Sequence, residues 1–198
     1  MRYFFLLIIS TVVIFISAGL YYSGAFKPVP VKIEDRGPFA ILYLEHIGAY
    51  DKIVNTIEDV EHLAKKNHAP CPLTFGEYLD NPQDVEQARL RSRGGCLTYL
   101  PARAQANPYY SISHMIPQEP LPYPVKSEII SQKNYVIATF DGSPRIGPLK
   151  VYPKANDFAK DHNLNFRGAV IEIYDVHPDL KTMTITYLFP IAPTPDKP

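Results

Sequence analysis

The sequence has no tryptophan, only two cysteines in 198 residues, and no excess of either charge, with 20 Lys and Arg against 20 Asp and Glu. Each shortage excludes something. Balanced charge leaves no basic footprint for nucleic acid, so no nucleic-acid partner is expected. Cys71 and Cys96 are too few for a disulfide scaffold and lack metal-ligand spacing. The histidines (His46, His62, His68, His114, His162 and His177) form no metal-spaced pair either. Ser127 and Ser143 carry no nucleophile signature, and there is no glycine-rich phosphate loop. Neither metal nor cofactor is expected.

Aromatics and proline are abundant, with 14 Tyr, 10 Phe and 20 Pro. The prolines fall in connections rather than in periodic segments, so they stiffen loops. One long uncharged run stands out: 24 residues from Tyr3 to Phe26. A helix of about 20 apolar residues crosses the hydrocarbon core. Arg2 precedes the run, and Tyr21 and Tyr22 close it where an aromatic belt belongs. A cleaved signal is the rival reading, with Ser23-x-Ala25 as a weak cleavage site, but signal cores are shorter, about 7 to 15 residues. The expectation is an anchor over 1–26 with a cytoplasmic amino terminus. The rest of the chain then lies on the outer, periplasmic or extracytoplasmic side. Lys27, Lys32 and Arg36 beyond the span dilute that orientation rule.

Residues 27–37 read as a short tether, and a domain over 38–190 follows, with a Pro-rich tail at 191–198. Phe39 to Glu45 is a first strand. Ile53, Ile57, Val60 and Ala64 recur at helical spacing and predict an amphipathic helix. Strands are expected at 73–79 and 95–100, with a turn or short helix between them. This hairpin turns near residues 85–86, which sets Cys71 opposite residue 100 and Cys96 opposite residue 75. The two cysteines are therefore expected as buried free thiols. Residues 101–133 form an irregular crossover. A second unit over 134–190 has strands at 135–141, 169–175 and 182–190. Pro148 and Pro153 predict a broken first turn, with a regular helix only from about Pro153 to His162.

The segment 168–178, GAVIEIYDVHP, alternates as a half-buried strand. Ile171 and Ile173 take the core face, which leaves Glu172 and Tyr174 together on the other. That face is either a solvated surface or the floor of a cleft with a carboxylate and aromatic walls. Tyr78-x-x-x-Pro82 recurs as Tyr174-x-x-x-Pro178, an offset of 96 residues that also matches Phe39 with Tyr135 and Ile41 with Ile137. The chain reads as one folding unit used twice.

With HIGAY opening the first helix, EYLDNP ending a strand and VIEIYD in the second unit, the sequence resembles the GyrI-like small-molecule-binding family, in a membrane-anchored branch. The resemblance implies an α+β fold. A strand–helix–strand–strand unit is duplicated about a pseudo-twofold axis, with a cleft between the halves. It implies that Glu172 meets the cationic centre of a small ligand, and that Tyr78 and Tyr174 form the walls. Tyr43 and Phe140, on the first strand of each unit, are counted with them.

Two other functions stay open. One is a hydrolase using Glu172 as acid/base, with Glu45 or Glu77 as a second acid. Glu77 lies one place out of the repeat register from Glu172 and should face the other side of its strand. The other is an interaction domain with a vestigial cleft plugged by residues 105–120 and a neighbouring membrane protein as partner. His46 is expected to fill the turn before the first helix.

Overall fold

Periodicity accounts for the two helices that cover the sheet. In the computed structural model, which describes residues 2–99, 124–177 and 182–192, the stripe Ile53, Ile57, Val60 and Ala64 is buried along one face of a helix. The elements run α1 (Arg2–Tyr22), β1 (Val31–Arg36), β2 (Phe39–Ile47), α2 (Ile53–Lys66), β3 (Leu73–Tyr78), β4 (Arg91–Tyr99), β5 (Lys126–Ile130), β6 (Lys133–Asp141), α3 (Gly147–Asp161), β7 (Val170–His177) and β8 (Thr182–Pro190). The fold is α+β. Eight strands form one antiparallel sheet in the order β1-β6-β8-β7-β3-β4-β2-β5.

The sheet is curled. Phe39 and Ile41 of β2 share a core cluster with Tyr135 and Ile137 of β6, although four strands separate β2 from β6 in the sheet. Ile171, Ile173, Phe75 and Leu97 fill the same inner face. The outer face carries the helices: α2 over β2, β3 and β4, and α3 over β6 and β8. Between the helices run β3 and β7, paired with Gly76 opposite Glu172. These two positions are 96 residues apart, and so are Tyr78 and Tyr174. Equivalent residues of the two units therefore meet across a local twofold axis.

Two segments differ from the sequence expectation. Val31–Arg36 is not a free tether but an edge strand paired with β6, and Lys126–Ile130, expected within an irregular crossover, pairs with β2. Each leads into one unit's first strand but pairs with the other unit's. Their composition, VKIEDR and KSEII, is that of half-solvated edge strands and lacks a clean apolar alternation. Residues 101–123, the proposed plug and the Pro178 turn lie outside the described residues.

The helix α3 also starts earlier than predicted. It begins at Gly147 with Pro148 in its first turn and continues through Pro153. Pro153 is on the exposed side, so the Leu149 carbonyl it cannot bond is left facing water rather than core.

Cys71 and Cys96 are joined by a disulfide, with Cα atoms 5.0 Å apart, and are not free thiols. The expected hairpin register was off by one, since Cys96 faces Thr74, but that is not the cause. Cys71 precedes the strand, and the bend at Pro72 carries it back over β4.

At the amino terminus, α1 contains a 20-residue stretch, Tyr3–Tyr22, of mean hydropathy 2.4 with no part of it buried. It is long and apolar enough to cross a membrane.

Candidate functional site

Glu172 sits on the helix-bearing face of β7, between Tyr152 of α3 and the Ile53 end of α2. Period-two alternation puts it there: Ile171 and Ile173 take the inner core, so Glu172 must point outward beneath the helices. Its residue is only 6% exposed. Burial pushes the carboxyl up to about 7, opposed by hydrogen bonds from Tyr174 and Tyr152.

Those two bonds define the site. The Tyr174 hydroxyl donates to Oε2 at 3.0 Å, and the Tyr152 hydroxyl, from the second turn of α3, donates to Oε1 at 3.3 Å. Tyr78 meets Tyr174 hydroxyl to hydroxyl at 2.8 Å. Tyr50 packs edge-on against Tyr78, with ring centroids 4.8 Å apart, and its hydroxyl is held by the Asp80 carbonyl at 2.7 Å. On the other side Tyr152 stands edge-on to Tyr187 and Phe189. Burial raises the Tyr78, Tyr152, Tyr174 and Tyr187 hydroxyls above their ordinary range, so all four stay protonated at neutral pH. Among the described residues, the buried Tyr187 hydroxyl has no hydrogen-bond partner.

Gly76 makes room for this arrangement. A Cβ there would stand 3.1 Å from the Tyr78 hydroxyl, 3.3 Å from the Tyr174 hydroxyl and 3.3 Å from Ile53 Cδ1. Glu172 thus has no counterpart acid in unit one, because the equivalent position is a glycine.

Of the residues chosen from sequence, the structure brings Glu172, Tyr174 and Tyr78 together. It does not bring Tyr43 to them. Tyr43 shares parity with Ile41, so it points into the inner core, where its hydroxyl reaches Glu128 at 3.3 Å and Arg93 lies over its ring. Phe140 is on the correct face but wholly buried under α3, near Gly147 and with Lys150 over its ring. Tyr152, Tyr50 and Tyr187 were missed. Tyr187 was readable as the cross-strand neighbour of Glu172, but Tyr152 was hidden by the expectation that its helix was broken there.

The second acids proposed for hydrolysis are elsewhere. Glu77 faces the inner side and holds Arg93, with Nε to Oε2 at 2.6 Å. Burial raises its carboxyl while Arg93 opposes the rise. Glu45 is exposed and paired with Lys126. His46 fills the turn before α2, with Nε2 3.2 Å from the Ala49 carbonyl and Nδ1 3.3 Å from Thr56. No group of three His, Cys, Asp or Glu side chains that could hold a metal occurs among the described residues.

The sequence matches no family model and no curated protein. Among solved structures, EcmrR in a cryo-EM complex with DNA in EcmrR-RPo is similar, with a TM-score of 0.57 at 11% identity. That match covers 90% of this chain but 64% of the EcmrR chain, so this chain spans less than two thirds of that protein's length. At this identity the likeness shows the fold alone. A hydrolase encoded by lin2189 from Listeria innocua gives a TM-score of 0.44 at 14% identity, covering 87% of this chain and 98% of that one. SAV2435 bound to tetraphenylphosphonium gives 0.43 at 8% identity, covering 83% and 94%.

Proposed function

We propose that this protein is a GyrI-like binding domain for amphipathic small molecules carrying a positive charge, held at a membrane by α1. The observation that carries the reading is Glu172. It is an acid, 6% exposed, whose hydrogen-bond partners among the described residues are two neutral hydroxyls rather than a cation. A buried carboxylate without a counter-charge is costly, and a ligand cation relieves that cost. Tyr50, Tyr78, Tyr152 and Tyr174 surround the acid with aromatic side chains, and a ring face that a bound cation reaches is worth about 0.5 to 2 kcal/mol. Among the described residues no second acid stands beside Glu172, which favours capture over acid/base hydrolysis.

The disulfide supports the compartment. Such bonds persist in oxidising surroundings, which fits a domain on the outer side of a membrane with a cytoplasmic amino terminus.

Thermal unfolding of the full chain in detergent micelles tests the reading, with tetraphenylphosphonium against triphenylphosphine oxide, a neutral molecule of similar bulk. The cation is expected to stabilise and the neutral compound not. At 100 times the dissociation constant the gain should be about 2.7 kcal/mol. Equal shifts from both compounds, or none from either, would reject it.

A further inference from the structure

The end of α1 is fastened to the domain. The Lys150 ammonium, from α3, donates to the carbonyls of Gly24 at 3.3 Å, Ala25 at 2.7 Å and Lys27. The Ser143 amide donates to the Ser23 carbonyl at 3.0 Å. Gly24 is buried with φ +80°, and a Cβ there would stand 2.5 Å from the Asp141 carbonyl oxygen. The turn 23–25 also bonds back to the helix, through Ser23 to Gly19 and Ala25 to Leu20. Val29 and Val31 then enter the core under α3, and β1 pairs with β6. From Tyr22 to Val31 the chain therefore has no free length. A flexible tether would leave these carbonyls to water and Lys150 to solvent.

Where the anchor leaves the fastening, the surface is apolar and cationic. Phe26 is 72% exposed and Leu149, on the same helical turn as Lys150, is 73% exposed. Lys27 and Arg145 flank them as exposed cations, and Asp141 is the exposed acid at the corner. Tyr21 and Tyr22 end the apolar helix just before it. Exposed apolar side chains beside Lys and Arg, next to a span's aromatic end, match the interfacial layer of a bilayer.

We infer that the corner built by Phe26, Leu149, Lys27 and Arg145 is a foot that rests in the headgroup layer of the membrane crossed by α1. The domain is seated on the bilayer, not swung on a leash. This rests on the proposed anchor. It also sets the position of the Glu172 site. Tyr152 is three residues beyond Leu149, on the same side of α3 and about 4.5 Å along its axis, so the Glu172 site lies close to the layer where amphipathic cations concentrate.

The absence of tryptophan makes the test direct. The full chain is reconstituted in phosphatidylcholine vesicles containing brominated lipid, as three single-tryptophan variants: Tyr21→Trp in the span, Leu149→Trp in the foot and Val54→Trp on α2 in the other half. Leu149→Trp should be quenched at least half as strongly as Tyr21→Trp, and Val54→Trp several-fold less. Adding Lys150→Glu should drop the Leu149→Trp quenching towards that of Val54→Trp. Quenching of Tyr21→Trp with none of Leu149→Trp would overturn the foot and leave the anchor standing. No quenching of Tyr21→Trp would remove the anchor, and the foot with it.

Discussion

The hydroxyls of Tyr78 and Tyr174, equivalent residues of the two units, meet at 2.8 Å on the local twofold axis. Symmetry stops there. Tyr174 spends its proton on Glu172, so Tyr78 must donate to Tyr174. The two tyrosines therefore differ in consequence. Tyr174→Phe removes a bond that favours the charged carboxyl, and a hydrogen bond to a charge contributes about 1.5 to 3 kcal/mol. Cation affinity at pH 7, measured by isothermal titration, should fall roughly tenfold. Tyr78→Phe leaves both Glu172 bonds in place and should change affinity less than about threefold. Equal losses would mean that the hydroxyls do not act through Glu172.

The raised Glu172 carboxyl gives a signed pH dependence. Its folded value of about 7 lies above the ordinary 4.5, so between these the native state holds more protons than the unfolded one. Stability must then fall as pH rises through that window, by roughly 3 kcal/mol in all. Glu172→Gln abolishes this contribution. In denaturant titrations without ligand, the variant should match wild type at pH 5 and exceed it at pH 8. Parallel pH profiles would show that the carboxyl is not desolvated.

Two glycines separate stability from binding. At Gly95 a Cβ would fall inside contact distance of the Leu42 backbone carbonyl oxygen, which cannot move without breaking the β2–β4 ladder. Gly95→Ala should cost about 3 kcal/mol or more. At Gly76 the nearest atoms are two hydroxyls and an Ile tip, all able to give way. Gly76→Ala should cost about 1 kcal/mol or less, yet weaken cation binding by crowding Tyr78 and Tyr174. Thermal melts and titrations on both variants check the contrast.

The disulfide closes a loop with a sequence separation of 25 residues. Replacing Cys71 and Cys96 by Ala should lower stability by roughly 3 kcal/mol, most of it through the unfolded chain. Electrophoresis of protein isolated under thiol-blocking conditions should show faster migration without reductant. Identical mobilities would place the domain in a reducing compartment.

Much of the fold was legible because periodicity and repetition are local signals. The α2 stripe followed a 3.6 period, the β7 alternation put Glu172 on its face, and the 96-residue offset brought Tyr78 to Tyr174. Glu77 faces away from Glu172 as the repeat register required. What failed depended on distant partners. Strands β1 and β5 are edges completed by the opposite unit, so their sequence looks like linker. A bend at Pro72 turned a mismatched cysteine pair into a bridge. Tyr43 was assigned on aromaticity, whereas its parity with Ile41 places it in the inner core. Tyr152 reaches Glu172 only because α3 runs unbroken through Pro153.

If the Glu172 charge captures the ligand, tetraphenylphosphonium affinity must follow its ionisation, and titrations of wild type and Glu172→Gln from pH 5 to 8 read that out. Wild-type affinity should rise about tenfold per pH unit while the carboxyl is mostly protonated and level off above about pH 7, following its ionisation. The Gln variant should bind weakly and with no pH dependence between 5 and 8. Wild-type-like affinity and the same pH profile in the Gln variant would leave the Glu172 charge with no part in capture.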